Sequence, residues 1–173
     1  MVNGTDTNAG GAAGPELLGR LLDRHAAALE LYARQLCDCS EDVVQEALIE
    51  LVGQPQMPCD VAAWLYRVVR NKAITAWRSA QRRQRHESAA VANRPAAFER
   101  SAADRIDGGA AAAALESLSI ELREVVVARI WGGLTFQQIA QLVGVSDSAA
   151  HRRYEAALLA LRQKLRVPCP KND

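Results

Sequence analysis

The stretch Gly132–Leu158, GGLTFQQIAQLVGVSDSAAHRRYEAAL, leaves the backbone few choices. Its two leading glycines stop whatever helix precedes it and supply a left-handed cap. Thr135, followed by Gln138 at the third helical position, forms a capping box, in which each side chain satisfies the other residue's free backbone N–H. Ala140 and then Gly144 meet the demands of a helix-turn-helix: a small residue where two helices touch, and a glycine where the chain turns. Ser146 caps a second helix, with Asp147 in its electropositive first turn. Ile139, Val143, Val145 and Ala150 hold the angle between the helices. The second helix then presents Ser148, Ala149, His151, Arg152 and Arg153. Small residues permit close approach to a major groove, and His and Arg donate to base edges and phosphates. The same packing also serves an interaction helix in a small bundle, so the rest of the chain has to decide.

The remainder points to an all-α protein. Alanine is abundant, aromatics are 5% of the chain, and β-branched alternation is nearly absent. No apolar run approaches the roughly 20 residues that cross a bilayer. The opening residues MVNGTDTNAGGAAGPE lack a basic segment followed by an apolar one, so they are not a secretory signal. Residues 1–15 are expected to be a disordered tail, 168–173 a second short tail, and the protein cytoplasmic. Cys37, Cys39, Cys59 and Cys169 read as reduced thiols. The CDC spacing is too tight for paired zinc ligands, so neither a metal nor another cofactor is expected. A redox or zinc role for Cys37 and Cys39 is the minor alternative.

Net charge is only +1, but it is unevenly spread. Residues 1–60 hold ten acids and three bases, while residues 61–86 hold seven bases and no acid. A solvated helix usually mixes signs to gain pairs one turn apart, so a wholly basic stretch suggests a phosphate-facing surface. The acidic front suggests a second, protein-binding surface.

Apolar spacing gives the elements. Leu17, Leu18, Leu21, Leu22, Leu29 and Tyr32 recur at helical intervals up to about Cys37. Ser40 is the expected cap of a second helix that runs to about Val52. Val43, Val44, Ala47, Leu48 and Leu51 form its inner stripe, and Gln45, Glu46, Ile49 and Glu50 its outer face. Gly53–Asp60 is a stiff loop with two prolines. A third helix follows over about 61–85. Leu65, Val68, Val69, Ala73 and Ala76 share its inner side, Arg67, Arg70, Asn71 and Arg78 its outer side, and Trp64 and Trp77 its borders. Residues 88–114 read as a flexible linker between two small helical domains, 16–87 and 115–167. The second domain begins near Leu115, and Leu118, Leu122, Val125, Val126 and Ile130 form a helical stripe before the helix-turn-helix. No phosphate loop, nucleophile elbow or metal-ligand cluster is present in the sequence, so no enzyme and no small-molecule substrate are expected.

Three segments in order, SEDVVQEALIELV, AWLYRVVRNKAITAWRSAQRR and LESLSIELREVVVARIWGGLTFQQIAQLVGVSDSAAHRRYEAALLALRQKL, resemble bacterial RNA polymerase sigma factors of the extracytoplasmic-function type. The resemblance covers about 17–85 and 115–165. It implies partners: core RNA polymerase, promoter DNA and an anti-sigma factor. It places Asp42, Gln45, Glu46 and Ile49 on the polymerase-binding face. Trp64, Arg67, Arg70, Asn71 and Arg78 fall on the surface that meets and melts the minus-10 element. The family's loop before the third helix, here Gly53–Ala63, captures an unstacked base. Thr135, Ser148, Ala149, His151, Arg152 and Arg153 fall at minus-35 contacts.

The sequence departs from the family pattern in several places. His151 stands where lysine is usual, Thr75 where aspartate is frequent, and Asp147 and Ser148 where an apolar–glycine pair is usual. Ala150 replaces a larger β-branched residue, and Ser119 a common proline. These changes bear on which bases are read. The rival reading of the residues is an autonomous helix-turn-helix regulator that does not act through core polymerase.

Overall fold

The structure is a computed structural model, and it describes residues 15–90 and 108–165. The expected tails, apart from Pro15, and the central part of the expected linker, 91–107, lie outside the described residues. Among the described residues there are seven helices and no strand, as the periodicity predicts. They are α1 (Pro15–Arg34), α2 (Ser40–Val52), α3 (Val61–Ala90), α4 (Gly108–Glu116), α5 (Ile120–Ile130), α6 (Phe136–Val143) and α7 (Asp147–Leu165).

Helices α1, α2 and α3 pack on one another around Leu29, Val44, Ala47, Leu51, Leu65 and Val69, all buried. The outer α2 residues Asp42, Gln45, Glu46, Ile49 and Glu50 are exposed, as the angular arithmetic requires. Helix α2 starts one residue earlier than Ser40 as a cap would allow. Cys39 takes the cap position without a side-chain bond, and Ser40 is drawn into the core at 6% exposure. The buried Val43–Leu51 stripe sets where this helix begins, and the side-chain cap is forgone.

Helices α4 to α7 form the second group, centred on Val125, Val126, Ile139, Ala140, Ala150 and Ala157. Of the expected stripe, Leu122, Val125, Val126 and Ile130 lie on α5, while Leu118 falls in residues 117–119, which separate α4 from α5. The Ser117 hydroxyl bonds back to the Ala114 carbonyl at 2.7 Å, and Ser119 adopts an extended conformation ahead of α5. The Arg123 guanidinium donates to the carbonyls of Glu116 and Leu118 at 2.8 and 2.9 Å, satisfying groups that the end of α4 leaves open. At the far end of α5, Ile130 lies outside the core, 49% exposed, while Val127 is fully buried. The described ends of the expected linker are helical: α3 continues to Ala90, and α4 already begins at Gly108 on an alanine run of high helix propensity.

The helix-turn-helix forms as its residues dictate. Thr135 and Gln138 make both bonds of the capping box. Gly144 has φ 75°, a left-handed conformation that costs glycine little. The Ser146 hydroxyl accepts from Ala149 N at 3.3 Å. Between the two leading glycines the work is divided: Gly133 takes the positive φ of 66°, and Gly132 takes a close approach described below. Thr135→Ala removes one cap acceptor and is expected to lower stability by about 1 kcal/mol, read as a lower thermal midpoint by circular dichroism.

Candidate nucleic-acid interface

The basic stretch lies on α3, and its side chains divide by direction. Arg67, Asn71 and Arg78 are exposed on one side, and Trp64 is half-buried at the border. Trp77 is 50% exposed, a large aromatic surface turned to solvent beside these groups. Lys72 leaves this face. Its ammonium pairs with Glu46 at 3.2 Å and Glu50 at 3.3 Å, tying α3 to α2 and holding its pKa above the ordinary lysine value. A groove of about 470 Å³ runs between the two helices, lined by Asp42, Glu46, Asn71, Lys72, Thr75 and Ser79 among others. It brings acidic α2 residues and the basic helix to one surface.

Arg70 also leaves the exposed face. It is only half-exposed, and its Nε donates to Glu124 of α5 at 2.8 Å. Burial pulls its pKa down, but the Glu124 carboxylate outweighs that and the net direction is upward. The Tyr32 hydroxyl donates to the same Glu124 oxygen at 2.9 Å. Burial, with Glu124 beside it, raises the Tyr32 phenol well above its ordinary value.

The loop before α3 is fixed by Asp60. One carboxylate oxygen accepts from Ala63 N at 2.9 Å and so caps α3, while the other accepts from Gln138 Nε2 of α6. A cleft of about 310 Å³ opens between this loop and α6, with Trp64 and Arg67 on one wall and Gln138, Gln141 and Leu142 on the other.

On α7, Ser148, His151 and Arg152 are exposed, and Ala149 and Arg153 are half-exposed. His151 is oriented by two neighbours. Its ring meets Phe136 edge-on at 4.8 Å, and its Nδ1 lies 3.4 Å from the Glu155 carboxylate. Phe136 also packs on Tyr154 and carries the Arg129 guanidinium 4.8 Å from its ring centroid. Thr135 is exposed at the start of α6, its hydroxyl committed to the cap.

Among the described residues no group of three His, Cys, Asp or Glu is placed to hold a metal ion. Cys37 is buried and Cys39 half-buried, both free thiols. Burial, with Cys39 beside it, pushes the Cys37 thiol up to about 12, so it stays protonated at neutral pH.

Residues 21–83 match the family described as Sigma-70 region 2, and residues 109–161 match Sigma-70, region 4. A curated relative, "ECF RNA polymerase sigma factor SigL" of Mycobacterium tuberculosis, is 35% identical over 90% of this chain and 93% of its own length. The chain belongs to the extracytoplasmic-function family of RNA polymerase sigma factors. A "Probable RNA polymerase sigma factor RfaY" of Xanthomonas campestris is 30% identical over 73% of this chain but only 34% of its own. The fold is similar to the sigma factor RpoE of Bartonella quintana in complex with the anti-sigma factor NepR. There the TM-score is 0.68 at 23% identity, covering 90% of this chain and all of that one. It is also similar to CnrH in complex with the cytosolic domain of CnrY, with a TM-score of 0.55 at 23% identity, covering 90% of this chain and 92% of that one.

In this sigma factor the α3 face is the exposed basic surface of region 2, and α6–α7 is the helix-turn-helix of region 4. Sequence reasoning missed Glu124, Tyr66, Asp60 and Phe136. Asp60 had a local signal, as a capping residue just ahead of a helix. Glu124 had none, because its partners lie far off in the chain, at Tyr32 and Arg70.

Proposed function

We propose that this sigma factor joins core RNA polymerase through the exposed α2 face and reads promoters at two points. Region 2, assigned to residues 16–87, meets the minus-10 element. Region 4, assigned to residues 115–167, meets the minus-35 element. The observation that carries the reading is the order along one chain: an exposed acidic helix with an apolar knob at Ile49, a basic helix, then a capped helix-turn-helix.

The chemistry follows from these surfaces. Asp42, Gln45 and Glu46 surround Ile49, which is 66% exposed, an apolar contact inside a polar rim of the kind that anchors protein interfaces. Arg67, Asn71 and Arg78, with Arg70 once it is released from Glu124, position the sugar–phosphate backbone. Trp64 and the Gly53–Ala63 loop receive an unstacked base, whose extraction helps hold strands apart at a cost of a few kcal/mol. Ser148, Ala149, His151, Arg152 and Arg153 read the upstream element, with Thr135 at its edge. No bond is made or broken by the protein, so the role is not enzymatic and takes no small-molecule substrate. Joining polymerase and promoter DNA places this work in the cytoplasm; among the described residues no helix is long and apolar enough to cross a membrane. An anti-sigma protein is an expected partner, and the similar RpoE of Bartonella quintana is in complex with the anti-sigma factor NepR.

Sedimentation of the purified protein with core polymerase tests the reading. Co-sedimentation at equal stoichiometry is expected, with an Ile49→Asp variant left behind in the free fraction. Tight operator binding by an isolated dimer that ignores core polymerase would favour an autonomous regulator instead. At the upstream element, His151→Ala or Arg153→Ala is expected to weaken recognition by roughly 1–3 kcal/mol, measured as binding of the holoenzyme to promoters with and without that element. An unchanged preference would remove both residues from the reading set.

A further inference from the structure

The two halves of the protein meet in a seam whose centre is a carboxylate. Glu124 of α5 is 4% exposed, and one of its oxygens accepts both from Tyr32 of α1 and from Arg70 of α3. Around it, Arg123 donates to Gln35 at 3.4 Å, and Gln138 donates to Asp60. Tyr32 meets Tyr66 edge-on at 5.0 Å. Tyr66 packs against Gly132, where an added Cβ would fall 2.6 Å from the ring. The Tyr66 hydroxyl is buried there without a hydrogen-bond partner.

The buried apolar residues of the two halves form one cluster, and this seam adds polar contacts to it. It also holds a buried hydroxyl that water would satisfy if the halves parted. Leaving that hydroxyl unpaired costs the closed state free energy that opening recovers. Closure also has a cost in function. It engages Arg70, and it sets α6 as one wall of the cleft against Trp64 and Arg67. The basic stretch of α3 contains no acid of its own, so the carboxylate that neutralises Arg70 comes from the other half of the protein.

We propose that Glu124 stands in for a DNA phosphate, holding Arg70 in the closed protein so that this guanidinium reaches DNA only when the two halves separate. The proposal rests on the promoter-binding reading of α3. Phosphate and Glu124 compete for one guanidinium, so closing the seam and binding DNA through Arg70 exclude each other. Glu124 is then a positioning residue of region 4 that regulates region 2.

The test uses the full chain, with donor and acceptor dyes placed by unnatural amino acids at the exposed positions Glu41 and Gln163. Glu124→Gln keeps the shape and removes the charge. It should lower energy transfer relative to the parent, and it should raise affinity for a non-specific duplex. It should also steepen the salt dependence of binding by about one released counterion. Tyr66→Phe removes the unpaired hydroxyl and should act in the opposite direction, raising energy transfer and lowering duplex affinity. Because Tyr66→Phe deletes one oxygen and leaves the packing, it carries the test even if Glu124→Gln impairs folding. Unchanged transfer in both variants would overturn the clasp. Opening of Glu124→Gln without any gain in duplex affinity would overturn the competition for Arg70. The dye measurement needs no DNA or polymerase. A parent protein that gives no promoter-dependent transcript would therefore defeat the functional reading while leaving the seam independently measured.

Discussion

Ile139→Ala should take the helix-turn-helix apart. Ile139 is fully buried on α6, a helix of only eight residues that cannot persist without its packing. It belongs to the buried cluster that also holds the fully buried Ala150 and Ala157 of α7, the helix on which α6 packs. These alanines are too small to close over a cavity, so the void would persist. Truncations of this kind cost about 2–5 kcal/mol. A unit of this size holds only a few kcal/mol in total, at roughly 0.05–0.15 kcal/mol per residue. A fall of about 10 °C or more in the melting midpoint is expected, together with loss of minus-35 dependence. A melting curve superimposable on the parent's would mean that α6 is not held by this core.

Arg67→Ala and Asn71→Ala should produce the second large effect, on promoter opening. Both side chains are exposed on α3 and turned away from its buried Leu65–Val69–Ala73 side, so neither supports the fold. Removing them should leave the melting midpoint unchanged within about 0.5 kcal/mol, as for surface substitutions generally. Neither change touches Asp42, Gln45, Glu46 or Ile49 on α2, so core polymerase should still bind even though Asn71 lines a groove with Asp42 and Glu46. The loss should appear in strand separation, read as permanganate reactivity of unpaired thymines near the start site. A decrease of about tenfold for each variant corresponds to one contact of 1–2 kcal/mol. Loss of core binding in either variant would contradict the division of labour between α2 and α3.

How much of this was legible in the sequence depended on whether its cause was local. The capping box at Thr135 and Gln138, the turn at Gly144 and the Ser146 cap each follow from residues within one turn, and each formed as read. The α2 stripe was equally legible, because helical periodicity fixes which side chains share a face. Its start was not, since burial of the stripe outweighed the preference of Ser40 for a cap. The break at residues 117–119 was hidden because Leu118 and Leu122 keep helical spacing across it, and the Arg123 contacts that stabilise the break are visible only in three dimensions.

The candidate site divides in the same way. Exposure of Arg67, Asn71 and Arg78 follows from angle alone. Arg70 shares their side by arithmetic yet turns to Glu124, because a buried carboxylate on a distant helix attracts it more strongly than solvent does. The positioning of His151 by Phe136 was likewise outside the reach of a linear pattern, since the two rings come from different helices of the motif.

One chain joining polymerase to two promoter elements can be tested most directly by run-off transcription with bacterial core polymerase, on templates with both elements, either one, or neither. The expected transcript requires this protein, is strongest with both elements present, and falls when either is replaced. A transcript independent of the protein, or no transcript from any promoter while the protein still binds DNA alone, would contradict it.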